Sequence, residues 1–214
     1  MTAVPETVFR LRVCFVKHGR LRFLSHLEVV RACERAVRRA GLPYAVTHGF
    51  NPHMRISFGP ALPVGTAGEH EYFDVWLLAH VSAAEARDRL SATIAADLAP
   101  AEARYVNDKE PSLSAVLTLA VYDVAVEGGS DLEGSLKSSL ASVVADGSLA
   151  VEHKGKTKVF EFASTLLKEP DVHSSAGRVV ITVSVRIGER GSLRPEAFVN
   201  AALARSASAG RILS

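Results

Sequence analysis

Two tandem ferredoxin-like domains, each an α+β unit with an antiparallel sheet, are the fold class this sequence of 214 residues predicts. Three observations carry that reading. Period-two alternation opens the chain, capping-box patterns announce the helices, and a β-α-β-β-α-β order runs out near residue 107 before a similar pattern restarts.

The first strand is VFRLRVCFVKHG, where Val8, Arg10, Arg12 and Cys14 alternate with Phe9, Leu11, Val13 and Phe15. A helix over residues 26–40 follows. Ser25 and Glu28 form a capping box, Leu24 and Val29 sit where a hydrophobic staple would close over it, and Gly41 and Pro43 end it. PYAVTH, MRISFG and EHEYFDVWLLA read as three extended segments separated by glycine and proline clusters. Ser82 and Glu85 repeat the capping box before AAEARDRLSATIAADLA, a second amphipathic helix ending at Pro100, and AEARYVN closes the unit as a short strand.

NDKEPSLS at 107–114 is polar, contains Pro111 and lies between two apolar patterns, which places the domains at residues 1–109 and 110–214. In the second, LSAVLTLAVYDVAVEG is a strand, and Ser130 with Glu133 suggests a third capping box before the helix DLEGSLKSSLASVVA. LAVEHKG and KTKVFEFAS form a hairpin, RVVITVSVRIG is a strand, and PEAFVNAAL is a closing helix with Pro195 in its first turn. The repeat rests on element order alone, because the residues of the two halves do not align by eye.

Composition narrows the function classes. A formal charge of +2 is close to neutral, so affinity for a polyanion must come from local clusters of cations. Cys14 and Cys33 are the only cysteines and have apolar neighbours, the N-terminus lacks a signal-peptide pattern, and no apolar run approaches the roughly 20 residues that span a bilayer. A cytoplasmic protein with no membrane partner is expected. There is no P-loop, no GxGxxG after a strand, no GxSxG, no HExxH and no CxxC pair, so no motif indicates catalysis or a cofactor.

The chemistry that remains is concentrated in residues 17–65. At 100° per residue, Arg31, Arg35, Arg38 and Arg39 fall within about a quarter of the first helix's circumference, with Val29, Cys33, Ala36, Val37 and Ala40 opposite. Arg20 and Arg22 precede the cap, giving six arginines between positions 20 and 39. The plainer account makes them a solvated face paired with Glu28 and Glu34; the functional account uses arginine's bidentate geometry on phosphates. The loop THGFNPHMRISFGP adds His48, Asn51, His53 and Arg55. His26, His48 and His53 are the candidates for acid-base catalysis, weighed against a purely hydrogen-bonding role, and their spacing does not mark a metal site. Lys154, Lys156 and Lys158 beside His153 make a basic tip on the predicted hairpin, either a solvated turn or a second phosphate contact.

RLRFLSHLE, ERAVRRAGLP, GFNPH and ISFGPALPVG occur in this order, with GSLRPEAF near the C-terminus. In these runs the chain resembles the radical SAM-linked protein family, a bacterial group of uncharacterised function whose members lie beside, or are fused to, a radical SAM protein. The chain lacks a CxxxCxxC triplet to hold an iron-sulfur cluster, so the resemblance implies an accessory protein with a radical SAM protein as its partner. A more distant, fold-level likeness is to the ferredoxin-like RNA-binding and repeat-processing proteins of CRISPR systems, which share the tandem layout and a histidine near the start of the first helix. Three roles follow: an RNA-binding, substrate-recognising accessory protein; a metal-independent endoribonuclease; or a protein-protein adaptor for the radical SAM partner.

Overall fold

A computed structural model describes residues 7–153, 155–188 and 192–213, the side chain at 153 excepted. The chain divides into two compact units, Met1–Val116 and Leu117–Ser214.

In the first unit the elements follow as β1 (Phe9–Lys17), α1 (His26–Arg39), β2 (Ile56–Phe58), β3 (Gly68–Leu77), α2 (Ala83–Ser91), β4 (Pro100–Val106) and α3 (Leu113–Val116). Strands pair antiparallel in the order β2-β3-β1-β4, the ferredoxin-like arrangement. The alternation that predicts β1 sets its two faces: Leu11, Val13 and Phe15 meet Phe73, Val75 and Leu77 of β3 in a core that includes Val29, Cys33, Ala36 and Val37 of α1. Each such side chain, when fully buried, stabilises the fold by about 1.5–3 kcal/mol before chain entropy is counted.

Helix α1 starts where the capping box requires. The Glu28 carboxylate accepts from the Ser25 amide at 2.8 Å and the Ser25 hydroxyl at 2.7 Å. Gly41 follows in the left-handed region at φ 62° and ends the helix. In α2, Ser82 accepts from the Glu85 amide at 3.2 Å, but the helix stops at Ser91, far short of Pro100. Thr93 explains the early end: its hydroxyl lies within hydrogen-bond range of the carbonyls of Leu90 (3.0 Å) and Ala36 (3.2 Å), offering the backbone an alternative to another turn. PYAVTH is not a strand. It contributes only single bridges, Tyr44 to Leu77 and Val46 to Met54, before the chain turns at Gly49.

The face of the first sheet turned away from the helices is polar yet covered. Arg10 donates to the carbonyls of Glu110 (2.7 Å) and Pro111 (3.0 Å), and the Trp76 indole donates to Asp108 at 2.7 Å, so residues 107–113 lie as a strap across it. Leu113, read from sequence as the start of a strand, begins the single helical turn of α3 and is buried.

The second unit comprises β5 (Leu119–Gly128), α4 (Leu132–Ala145), β6 (Ser148–His153), β7 (Lys156–Glu161), α5 (Phe162–Thr165), β8 (Asp171–Ser175), β9 (Arg178–Arg186), α6 (Pro195–Leu203) and β10 (Gly210–Ile212). Its main sheet runs β10-β5-β9-β8, again all antiparallel. With the β6–β7 hairpin and α5 set aside, this is the same permutation as in the first unit. The third capping box does not form: α4 is preceded by Asp131 with no side-chain cap, and Glu133 instead accepts from Lys137 (2.6 Å) and Ser174 (2.6 Å). No described helix is long and apolar enough to cross a membrane.

Candidate functional site

Helix α1 separates packing from charge. Val29, Cys33, Ala36 and Val37 are buried, while Arg31, Arg35, Arg38 and Arg39 are exposed. Arg38 is tied to Glu34 at 3.1 Å, an i,i+4 pair. Arg31, Arg35 and Arg39 make no hydrogen bond or ion pair among the described residues. Glu28, the acid expected to tie up Arg31, has its carboxylate hydrogen-bonded to Ser25, and those bonds, with a smaller pull from the Arg31 charge, hold it below the usual carboxylate range.

The remaining predicted residues scatter. Arg20 is exposed in a short 3-10 turn, Gly19–Phe23, and Arg22 lies half-buried with its guanidinium carbon 4.9 Å from the centre of the Phe23 ring. Arg55 stands apart from the helical arginines: its guanidinium stacks 4.4 Å from the Trp76 ring centre and lies 3.7 Å from Asp108, on the strapped face of the sheet. His53 stabilises its own loop, with Nδ1 3.1 Å from Thr47 Oγ1 and 3.2 Å from the Asn51 carbonyl oxygen. His48 and Asn51 are exposed in that loop. Among the described residues no hydrogen bond or ring contact joins His26 to His48 or His53, and no three metal-ligating side chains gather. On the hairpin, Lys156 and Lys158 are exposed on β7, Lys158 lying 4.8 Å from the Phe160 ring centre; Lys154 falls outside the described residues.

His26 instead meets two residues that sequence reasoning did not single out. It lines a cavity of about 20 Å³ with Lys17 and Glu71, walled by Phe15, Phe58, Leu62 and Pro60, and its ring meets that of Phe58 edge-on at 5.8 Å. The register explains the convergence. The core-facing stripe of β1 runs Leu11, Val13, Phe15, Lys17, and that of β3 runs Leu77, Val75, Phe73, Glu71, so both apolar stripes end in a charged residue at one end of the sheet. The first residue of α1 sits over that end. Lys17 is 3% exposed, and its ammonium group has no hydrogen bond and no carboxylate within 4 Å among the described residues. Burial lowers its pKa, and the field of Glu71 raises it in part. Burial pushes the Glu71 carboxyl up to about 7 against the pull of Lys17, and burial, then the Lys17 charge, lowers His26. The readable signal was phase: a lysine and a glutamate each continuing a core stripe.

Residues 10–195 match the model of a family described as "Uncharacterized protein conserved in bacteria (DUF2344)". No curated protein matches the chain. Among solved structures, one described as "putative glycine cleavage system transcriptional repressor" is 12% identical over 96% of each chain with a TM-score of 0.24, too low to bear on fold or function.

Proposed function

We propose that this chain, which belongs to the bacterial family DUF2344, is an RNA-binding accessory protein that presents substrate to a radical SAM enzyme. The observation that carries the RNA-binding part is the exposed face of α1, where Arg31, Arg35 and Arg39 make no hydrogen bond or ion pair among the described residues while the opposite face is committed to the core. Guanidinium groups at helical spacing contact successive phosphates bidentately and stack on bases. With a net charge of only +2, this cluster and not the global field would supply the attraction. The radical SAM partner comes from the resemblance of the RLRFLSHLE to ISFGPALPVG segment.

The test is a salt titration of binding to structured and single-stranded RNA. Replacing Arg31, Arg35 and Arg39 by alanine should reduce the slope of log K against log salt by up to about 2, some 0.7 for each lost contact to a single strand. Wild-type protein that retains no RNA at low salt, or a variant with an unchanged slope, overturns the reading. The partnership is tested separately, by co-purification with a co-expressed radical SAM protein from the same genome.

A further inference from the structure

The cavity under the start of α1 goes beyond that reading, since it uses none of the exposed arginines. Its composition is unusual for the end of a hydrophobic core. A lysine held at 3% exposure, with neither a side-chain hydrogen bond nor an ion pair among the described residues, carries a desolvation cost that the field of Glu71 offsets only in part. Glu71 shares the cavity but does not pair with it within 4 Å. The Glu71 side chain packs closely against Gly68, where a Cβ would stand 2.8 Å from Glu71 Cγ and 2.7 Å from Leu62 Cδ1. Lys17 pairs with Gly68 in the β1–β3 register, with an irregularity between Phe15 and Lys17 that breaks the regular ladder there.

We propose that this cavity is a seat for one oxyanion group, a carboxylate or phosphate at the end of a small ligand, with Lys17 as its counter-charge and His26 and Glu71 as hydrogen-bonding neighbours. The volume of about 20 Å³ holds one water-sized group, so an anionic oxygen enters while the body of the ligand stays at the mouth, where His26 and Pro60 are exposed. Among the described residues, Lys17, His26 and Glu71 are the titratable side chains that face it, from β1, α1 and β3, while Tyr72 lines it from the neighbouring β3 position whose side chain turns to Cys14 on the other face; the β2 end and the loop after it contribute Phe58, Gly59, Pro60 and Leu62. A neutral His26 imidazole donates one N–H. Glu71, titrating near 7, donates when protonated and competes with the ligand for Lys17 when ionised, so binding takes up a proton.

Formate and inorganic phosphate are the probes, titrated into the full chain and followed by the NMR signals of the His26 ring and of the Glu71 amide. Formate carries the pH comparison because it stays ionised throughout, whereas phosphate gains charge as pH rises. Saturable shifts with either probe at pH 6 support the site, and whichever binds more tightly names the ligand class. Formate should bind about tenfold more weakly at pH 8 than at pH 6, the ratio set by a carboxyl titrating near 7. Lys17→Met should weaken binding at least about tenfold by removing a charge-assisted contact. Glu71→Gln should keep binding and lose the pH dependence, a result readable even if Lys17→Met fails to fold. No saturable shift with either probe at pH 6, or binding that Lys17→Met leaves within about twofold while folded, overturns the proposal.

Discussion

Arg12 and Asp74 stand opposite each other across β1 and β3 and meet through two hydrogen bonds, Nε to Oδ1 at 2.8 Å and Nη2 to Oδ2 at 3.0 Å, with 4% and 0% of their side chains exposed. Arg10 adds two more to the same carboxylate, at 2.9 and 2.6 Å. Asp74 is thus the shared counter-charge of two guanidinium groups in a place water barely reaches, helped only by the partly exposed Glu110 carboxylate 3.8 Å from Arg12 Nη1, and that dependence makes it the most exposed point of failure in the first unit. Asp74→Asn should destabilise the protein by about 3–5 kcal/mol, because it leaves two buried cations with only the partly exposed Glu110 carboxylate near Arg12 as counter-charge. Replacing all three residues by apolar ones, Arg10→Met, Arg12→Met and Asp74→Leu, should recover most of that loss. Urea midpoints at pH 7 decide it; an Asp74→Asn midpoint equal to wild type would refute the argument.

Glu71 sets a pH dependence of the opposite kind to an ordinary paired carboxylate. Its pKa rises from 4.5 to about 7 on folding, so between those values the native state holds the proton that the unfolded state has lost. The contribution is present below pH 4.5 and is lost as pH rises through about 7. A shift of that size corresponds to roughly 3 kcal/mol. Glu71→Gln should therefore leave stability nearly unchanged at pH 4 and raise it at pH 8, measured in a buffer without phosphate or carboxylate. A variant whose stability falls with pH as steeply as wild type would show that another group carries the slope.

The fold was legible where local chemistry and tertiary packing agreed. Ser25, Glu28 and Gly41 bounded α1 almost to the residue, and alternation from Phe9 to Lys17 gave the phase of β1. Where α2 ends early, the Thr93 hydroxyl lies within hydrogen-bond range of Ala36, a residue more than fifty positions away, as well as of its own turn at Leu90, and no local pattern announces that tertiary contact. The strap escaped for a similar reason: residues 107–113 are polar and contain Pro111, the composition of a linker, yet their carbonyls and Asp108 are spoken for by Arg10 and Trp76. The site divided along the same line. The arginines of α1 were readable from helical phase, but Lys17 and Glu71 meet only through strand register, and the glycine- and proline-rich loop directed attention to His48 and His53, which do not join His26.

Gly68 is a test of how tightly that register is built. A methyl group there would stand 2.7 Å from Leu62 Cδ1 and 2.8 Å from Glu71 Cγ, both inside any normal contact. Gly68→Ala should destabilise the unit by about 1–3 kcal/mol as the neighbours are displaced. Because Glu71 must move, its pKa should also fall back toward the ordinary carboxylate range, read from the pH dependence of its carboxyl resonance. A variant that keeps both its stability and the titration near 7 would mean the cavity has slack that the geometry denies.

Trp76 is the chain's single tryptophan, so its fluorescence reports the strap directly. Its indole N–H donates to Asp108 at 2.7 Å, and the guanidinium groups of Arg55 and Arg10 lie 4.4 and 5.2 Å from its ring centre. Asp108→Ala removes both the indole's acceptor and the carboxylate 3.7 Å from Arg55, while the two hydrogen bonds from Arg10 to the carbonyls of Glu110 and Pro111 remain. The strap should therefore loosen at its first residues and stay anchored at its last. Lys109 is exposed beside the loosened end, so trypsin should cleave there several-fold faster in the variant, with a shifted Trp76 emission. Adding Arg10→Met should release the remainder and speed cleavage further. Equal cleavage rates in wild type and Asp108→Ala would place the hold entirely on Arg10, and the double variant would then account for the whole effect.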